Sequence, residues 1–184
     1  NGDRTFYIND ILSPVSQVLL ETTENYLLTG KYSYGHQRLS QANSDGNSFY
    51  VYESPARSVK YLVDANEQVL NDYTYDSCGN LGPSSETINN DFKYVGEQFD
   101  AETGLIFLRN RYYVPAIGRF ISRDPFPGRT HLPQTVNPYP YCSNNPVNFI
   151  DPLGLYSLQQ GLQDTVNYSW VAGAATAFVP GGQT

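Results

Sequence analysis

Hydrophobic and polar positions over the first hundred residues recur in short blocks rather than in a helical rhythm. An aromatic-x-Tyr element occurs at Tyr32-Ser-Tyr34, Tyr50-Val-Tyr52, Tyr73-Thr-Tyr75 and Phe92-Lys-Tyr94, and its second tyrosines stand 18, 23 and 19 residues apart. That spacing is one hairpin long, too short for a unit to bury both faces of its own sheet. Ser44-Asp45-Gly46-Asn47, Asp64-Ala-Asn66 and Asp76-Ser-Cys-Gly79-Asn80 separate the blocks; their Asp, Asn and Gly tolerate positive φ and close tight turns. Residues i and i+2 of a strand share a face. Tyr34, Tyr52, Tyr75 and Tyr94 are therefore expected along one side of a long sheet, as core packing or, alternatively, as a platform that binds sugars.

From Gly96 the pattern becomes less repetitive. Gly96-Glu-Gln-Phe-Asp100-Ala-Glu-Thr-Gly104-Leu-Ile-Phe-Leu-Arg109-Asn-Arg111-Tyr112-Tyr113 precedes Gly118-Arg119-Phe120-Ile-Ser-Arg123-Asp124-Pro125. Period-2 geometry puts Arg109, Arg111 and Tyr113 on one strand face beside an apolar run, where guanidinium groups pair with carboxylates or stack on tyrosines. In the tail, Leu158, Leu162, Val166 and Trp170 recur every four residues and predict one amphipathic helix. The small apolar run from Val171 to Val179 reads as a docking segment. Three parts result: hairpin repeats over 1–95, a core or plug segment over 96–155, and a short tail over 156–184.

Composition agrees with strands and turns. Sixteen Tyr, nine Phe and one Trp carry the bulky apolar surface, Met is absent, and 15 Gly with 12 Pro favour turns over a helical bundle. The net charge of −7 opposes binding to nucleic acid, which needs clustered Lys and Arg. No apolar run reaches the roughly 20 residues that span a bilayer. The chain opens Asn1-Gly2-Asp3 with neither Met nor a charged-then-apolar leader, and reads as a fragment or a processed product.

Little conventional chemistry is visible. With two histidines and no Cx₂C or His-x-x-x-His spacing, neither a metal nor another cofactor is expected. Asn43-Ser-Asp45-Gly46 has the look of a calcium loop, but Gln41 and Tyr52 stand where ligands are needed, and a hairpin turn is the better reading. Cys78 and Cys142 are either one disulfide or two small buried thiols.

Taken together, the motifs resemble the RHS or YD-repeat family. Tyr75-Asp76-x-x-Gly79-Asn80 is similar to its YDxxGN repeat, and the run from Gly96 to Pro125 to its core-domain signature. Asn137-Pro138-Tyr-Pro-Tyr141 and Asn144-Asn145-Pro146-Val-Asn-Phe-Ile-Asp151-Pro-Leu-Gly154-Leu155 resemble its closing motif. The likeness covers residues 1 to 155. It implies a mainly β fold, in which a ribbon of hairpins spirals into part of a hollow shell closed by the core segment, with the short C-terminal helix added. Relatives of this kind include bacterial polymorphic toxins, the C components of insecticidal toxin complexes and the teneurins of animal cells.

The resemblance also implies a function: a structural element of a secreted or surface shell, bacterial by its nearest likeness, that encapsulates a protein cargo or self-assembles. Its partners are the rest of a longer shell or further copies, because four to six hairpins cannot close a shell and leave a sheet edge unpaired. The one enzymatic activity implied is intramolecular. Several toxin members cut their own chain after the closing Leu with a pair of aspartates. Carried over, these are Asp124 and Asp151, with Arg123 or Arg119 steadying the charge and cleavage between Leu155 and Tyr156. Two carboxylates in a low-dielectric enclosure divide into acid and base, although Asp-Pro pairs also simply initiate turns. A third reading is a glycan or cell-surface binding module built on the tyrosine stripe.

Overall fold

The computed structural model describes residues 4–12, 16–53, 56–125, 133–155 and 158–159. Eight strands form one antiparallel meander in strict chain order: β1 (Thr5–Asp10), β2 (Gln17–Thr23), β3 (Leu28–Tyr34), β4 (Arg38–Asn43), β5 (Gly46–Glu53), β6 (Ser58–Val63), β7 (Val69–Asp72) and β8 (Ser85–Glu86). The sheet is open, with β1 and β8 at its edges. The turn expected at residues 43–46 joins β4 to β5, with Asn43 opposite Gly46 and the Asn43 side chain accepting the Asp45 N–H at 2.9 Å. A second antiparallel sheet holds β9 (Gln98–Asp100), β10 (Leu105–Leu108), β11 (Arg111–Val114) and β12 (Arg119–Phe120), each paired with the next.

The repeated tyrosines are the fasteners of the meander. Tyr34 donates its hydroxyl to the carbonyl of Val18 at 2.8 Å, Tyr52 to Arg38 at 2.8 Å, Tyr75 to Val59 at 2.9 Å and Tyr94 to Ser77 at 3.1 Å. Each ring thus fills the space over its own hairpin while its hydroxyl satisfies a carbonyl of the preceding one, a pairing that a buried phenol requires. Tyr32, Tyr50 and Tyr73 are buried beside them with Val59, Leu62 and Phe92. A second cluster gathers Tyr94, Ile106, Leu108, Tyr113, Phe120, Tyr141 and Cys142 on the second sheet.

Residues 87–97 do not extend the meander but cross its inner face. Asn71 holds them at one end, its side chain accepting from Thr87 and Ile88 at 2.9 and 3.1 Å; Gln41 donates to the Asn89 carbonyl at 3.0 Å, and Arg38 to that of Gly96 at 3.0 Å. The third and fourth aromatic-x-Tyr elements consequently differ from the strands expected of them. Tyr73 and Tyr75 follow the end of β7, and Phe92 and Tyr94 belong to the crossing segment. Their side chains still face the core, because the crossing backbone is anchored by buried amides instead of a strand ladder.

The chain ends its described course in a two-stranded pairing of β13 (Phe149–Ile150) with β14 (Leu158–Gln159). The amphipathic helix expected from Leu158 therefore does not begin there, since pairing with Phe149 and Ile150 fixes those two residues as strand. Tyr156 and the rest of the expected helix and docking run, 160–184, lie outside the described residues. Cys78 and Cys142 are both thiols, not a disulfide.

Candidate functional site

The β10–β11 hairpin positions the site. Its turn residue Arg109 adopts φ 59°, which breaks the alternation expected to put Arg109 on one face with Arg111 and Tyr113. Arg109 instead turns outward to pair with Glu97 at 2.6 Å, while Arg111 and Tyr113, on β11, point into the core.

Three consecutive side chains of this turn grip three consecutive carbonyls of the closing segment. Arg109 donates to Pro152 at 2.5 Å, Asn110 to Leu153 at 2.9 Å and Arg111 to Gly154. Gly154 is required for this approach. Its φ is +67°, and a Cβ there would stand 2.5 Å from the carbonyl oxygen of Leu108.

Arg111 is the centre of the arrangement. It is buried, its guanidinium lies 3.7 Å over the ring of Phe120, and Nη1 donates to the Pro138 carbonyl at 3.1 Å. Nη2 stands 2.8 Å from Asp124 Oδ2 and 3.6 Å from Asp151 Oδ2. Burial holds the Arg111 guanidinium below its ordinary pKa, and the two carboxylates oppose that shift. Asp151 is buried, and its other oxygen accepts the backbone N–H of Leu155 at 3.0 Å.

The structure therefore brings Asp124, Asp151 and the Leu155 amide around one guanidinium. That guanidinium belongs to Arg111, not to Arg119 or Arg123, which are both exposed. On β12 the neighbour of Arg119, Phe120, faces inward and covers Arg111; alternation then sends Arg119 outward. The signal for Arg111 was its strand position opposite an apolar run, which marked it for an ion pair without naming its partners. Tyr156, on the far side of the bond in question, lies outside the described residues.

The four tyrosines considered as a sugar platform have their hydroxyls committed to backbone carbonyls. Tyr94 is buried, and Tyr34, Tyr52 and Tyr75 are half-buried against the core. Among the described residues, no group of three or more His, Cys, Asp or Glu is placed to hold a metal ion, and no helix is long and apolar enough to cross a membrane.

Comparison with known proteins agrees with this architecture. The family model described as the teneurin YD-shell matches residues 5–147. The chain belongs to that family. A tRNA3(Ser)-specific nuclease, WapA, of Bacillus spizizenii is 38% identical over 161 residues, covering 84% of this chain and 7% of the relative. Toxin protein Tse5 of Pseudomonas aeruginosa is 41% identical over 63 residues, 34% of this chain and 4% of Tse5. Among solved structures, TcdB2-TccC3-Cdc42 superposes with a TM-score of 0.60 at 21% identity, covering 83% of this chain and 8% of that one. That likeness shows the YD-shell fold. The chain spans less than a tenth of the length of each of these proteins.

Proposed function

We propose that this YD-shell segment closes one end of a secreted shell that encloses a protein cargo, with its open meander continued by further strands of the shell or by further copies. The observation that carries this reading is the grip of Arg109, Asn110 and Arg111 on Pro152, Leu153 and Gly154, which seals the closing segment against the second sheet. The open edges of β1 and β8 supply the other half, since unpaired strand edges accept further strands. Native mass spectrometry with size-exclusion chromatography tests the assembly. Association of the 20.6 kDa chain with further strand-bearing chains is expected, and a lone monomer at every concentration overturns continuation by copies. Protection from protease of a polypeptide co-purifying with the shell tests encapsulation.

A second reading, self-cleavage after Leu155, is favoured by Asp124 and Asp151 sharing Arg111 Nη2. The two carboxylates converge on one nitrogen at 2.8 and 3.6 Å, the juxtaposition that an aspartate pair needs if one carboxyl is to donate a proton while the other activates water. Asp124→Asn and Asp151→Asn each abolish a fragment ending at Leu155 if this holds. Unchanged processing, read by mass spectrometry on variants that melt like the parent, overturns it.

A further inference from the structure

A cavity of about 410 Å³ opens between the start of β4, the turn at Arg57, residues 95–98 and the closing segment. Three arginines line it, Arg38, Arg57 and Arg109, against two carboxylates, Glu97 and Asp151. Both carboxylates are engaged, Glu97 by Arg109 at 2.6 Å and Asp151 by Arg111 at 3.6 Å.

Arg38 is the unusual member. It is 7% exposed, and its guanidinium is stacked 3.2 Å from the ring centroid of Phe92. Nε donates to the Tyr34 hydroxyl at 3.1 Å and Nη1 to the Gly96 carbonyl at 3.0 Å. Among the described residues, no carboxylate lies within ion-pair distance of it, and Nη2 donates to none of them. Glu21, which feels the Arg38 charge, is itself engaged by the Tyr32 hydroxyl at 2.6 Å. Burial disfavours this charge, yet Tyr34, Tyr50 and Tyr52 outweigh it and hold the guanidinium above its ordinary pKa, so that it stays a cation able to take an anion, and stacking on Phe92 fixes its plane.

Val18, Phe92, Phe107 and Ile150 give the wall an apolar part, beside polar residues that include Asn9, Gln17, Gln37 and Gln98. A cavity of this size exceeds what a bare anion needs and falls near the lower end of small-ligand sites, about 300–1,000 Å³. We propose that the cavity binds a carboxylate carried on an apolar body, anchored by Arg38 Nη2, and that its occupant is the C-terminal end of a peptide. A free organic acid shares the chemistry but lacks the amide groups that the Gln98 and Gln37 side chains, also in the lining, are suited to meet. The site depends neither on cargo enclosure nor on self-cleavage.

Isothermal titration calorimetry of the intact chain with acetyl-Gly-Leu as free acid, with its C-terminal amide, and with 4-methylpentanoate separates the outcomes. The free acid is expected to bind, with the amide weaker by at least about tenfold. Arg38→Lys, which cannot present the planar fork, is expected to weaken the acid about tenfold and Arg57→Gln by a smaller factor. Equal binding of acid and amide, or no binding of either, overturns the site. Binding of 4-methylpentanoate as tight as the peptide acid overturns the peptide assignment in favour of a free organic acid. If Arg38→Lys does not fold, the acid and amide pair on the unaltered chain, with Arg57→Gln, decides the matter alone.

Discussion

The carboxylate of Asp151 accepts the backbone N–H of Leu155 at 3.0 Å, so one buried side chain fixes the main chain four residues on. The same carboxylate shares Arg111 with Asp124. Removing the cation therefore takes an ion-pair partner from both acids. Arg111→Gln is expected to cost about 3–5 kcal/mol in urea unfolding. Adding Asp124→Asn and Asp151→Asn to that variant should recover part of the loss, because the two carboxylates that faced Arg111 are then neutral. Additive losses across the three substitutions would show that the charges are not coupled.

Gly154→Ala combines a left-handed backbone with a Cβ only 2.5 Å from the Leu108 oxygen. A loss of about 1–3 kcal/mol is expected. Hydrogen exchange should rise first in residues 151–155 while the meander amides stay protected. Uniform loss of protection would place the strain elsewhere.

The hydroxyl fasteners can be removed singly. Tyr52→Phe and Tyr75→Phe each leave a backbone carbonyl without its donor, at a cost of about 1 kcal/mol apiece in chemical denaturation. Tyr112→Phe, at an exposed position, should change stability by less than about 0.5 kcal/mol. Equal effects at all three sites would deny the fasteners a special role.

Burial holds the Glu21 carboxyl above its ordinary value of 4.5, and the hydrogen bond from Tyr32 opposes the shift only in part. A carboxyl with a raised folded-state pKa binds its proton more tightly folded than unfolded. Stability then falls as pH rises from the unfolded value through the folded one, and the penalty persists at neutral pH. Glu21→Gln is expected to raise the melting temperature at pH 7 and to flatten the decline above pH 4.5. A steeper decline in the variant would reverse the assignment.

What the sequence disclosed and what it hid follow from the range of the interactions. Strand parity placed Tyr34 and Tyr52 correctly because both lie within hairpins whose partners are local. It misread Phe92-Lys-Tyr94 as another strand, because the Asn71, Gln41 and Arg38 side chains that divert this segment across the sheet are distant in sequence. The same limit applies at the site. Arg119 and Arg123 are sequence neighbours of Asp124, whereas Arg111 meets Asp124 and Asp151 across 13 and 40 residues of chain (124−111 and 151−111), and the left-handed turn at Arg109 gave no periodic signal at all. The two-residue strand Leu158–Gln159 gave no period-2 signal of its own, because two residues are too few to carry one.

The triple grip on Pro152, Leu153 and Gly154 has a mechanical meaning. Its bonds run in register along the chain, from residues 109, 110 and 111 to 152, 153 and 154. A pull on whatever follows Leu155 loads all three together, as shear, instead of peeling them one after another. The end of this segment is built to hold under tension.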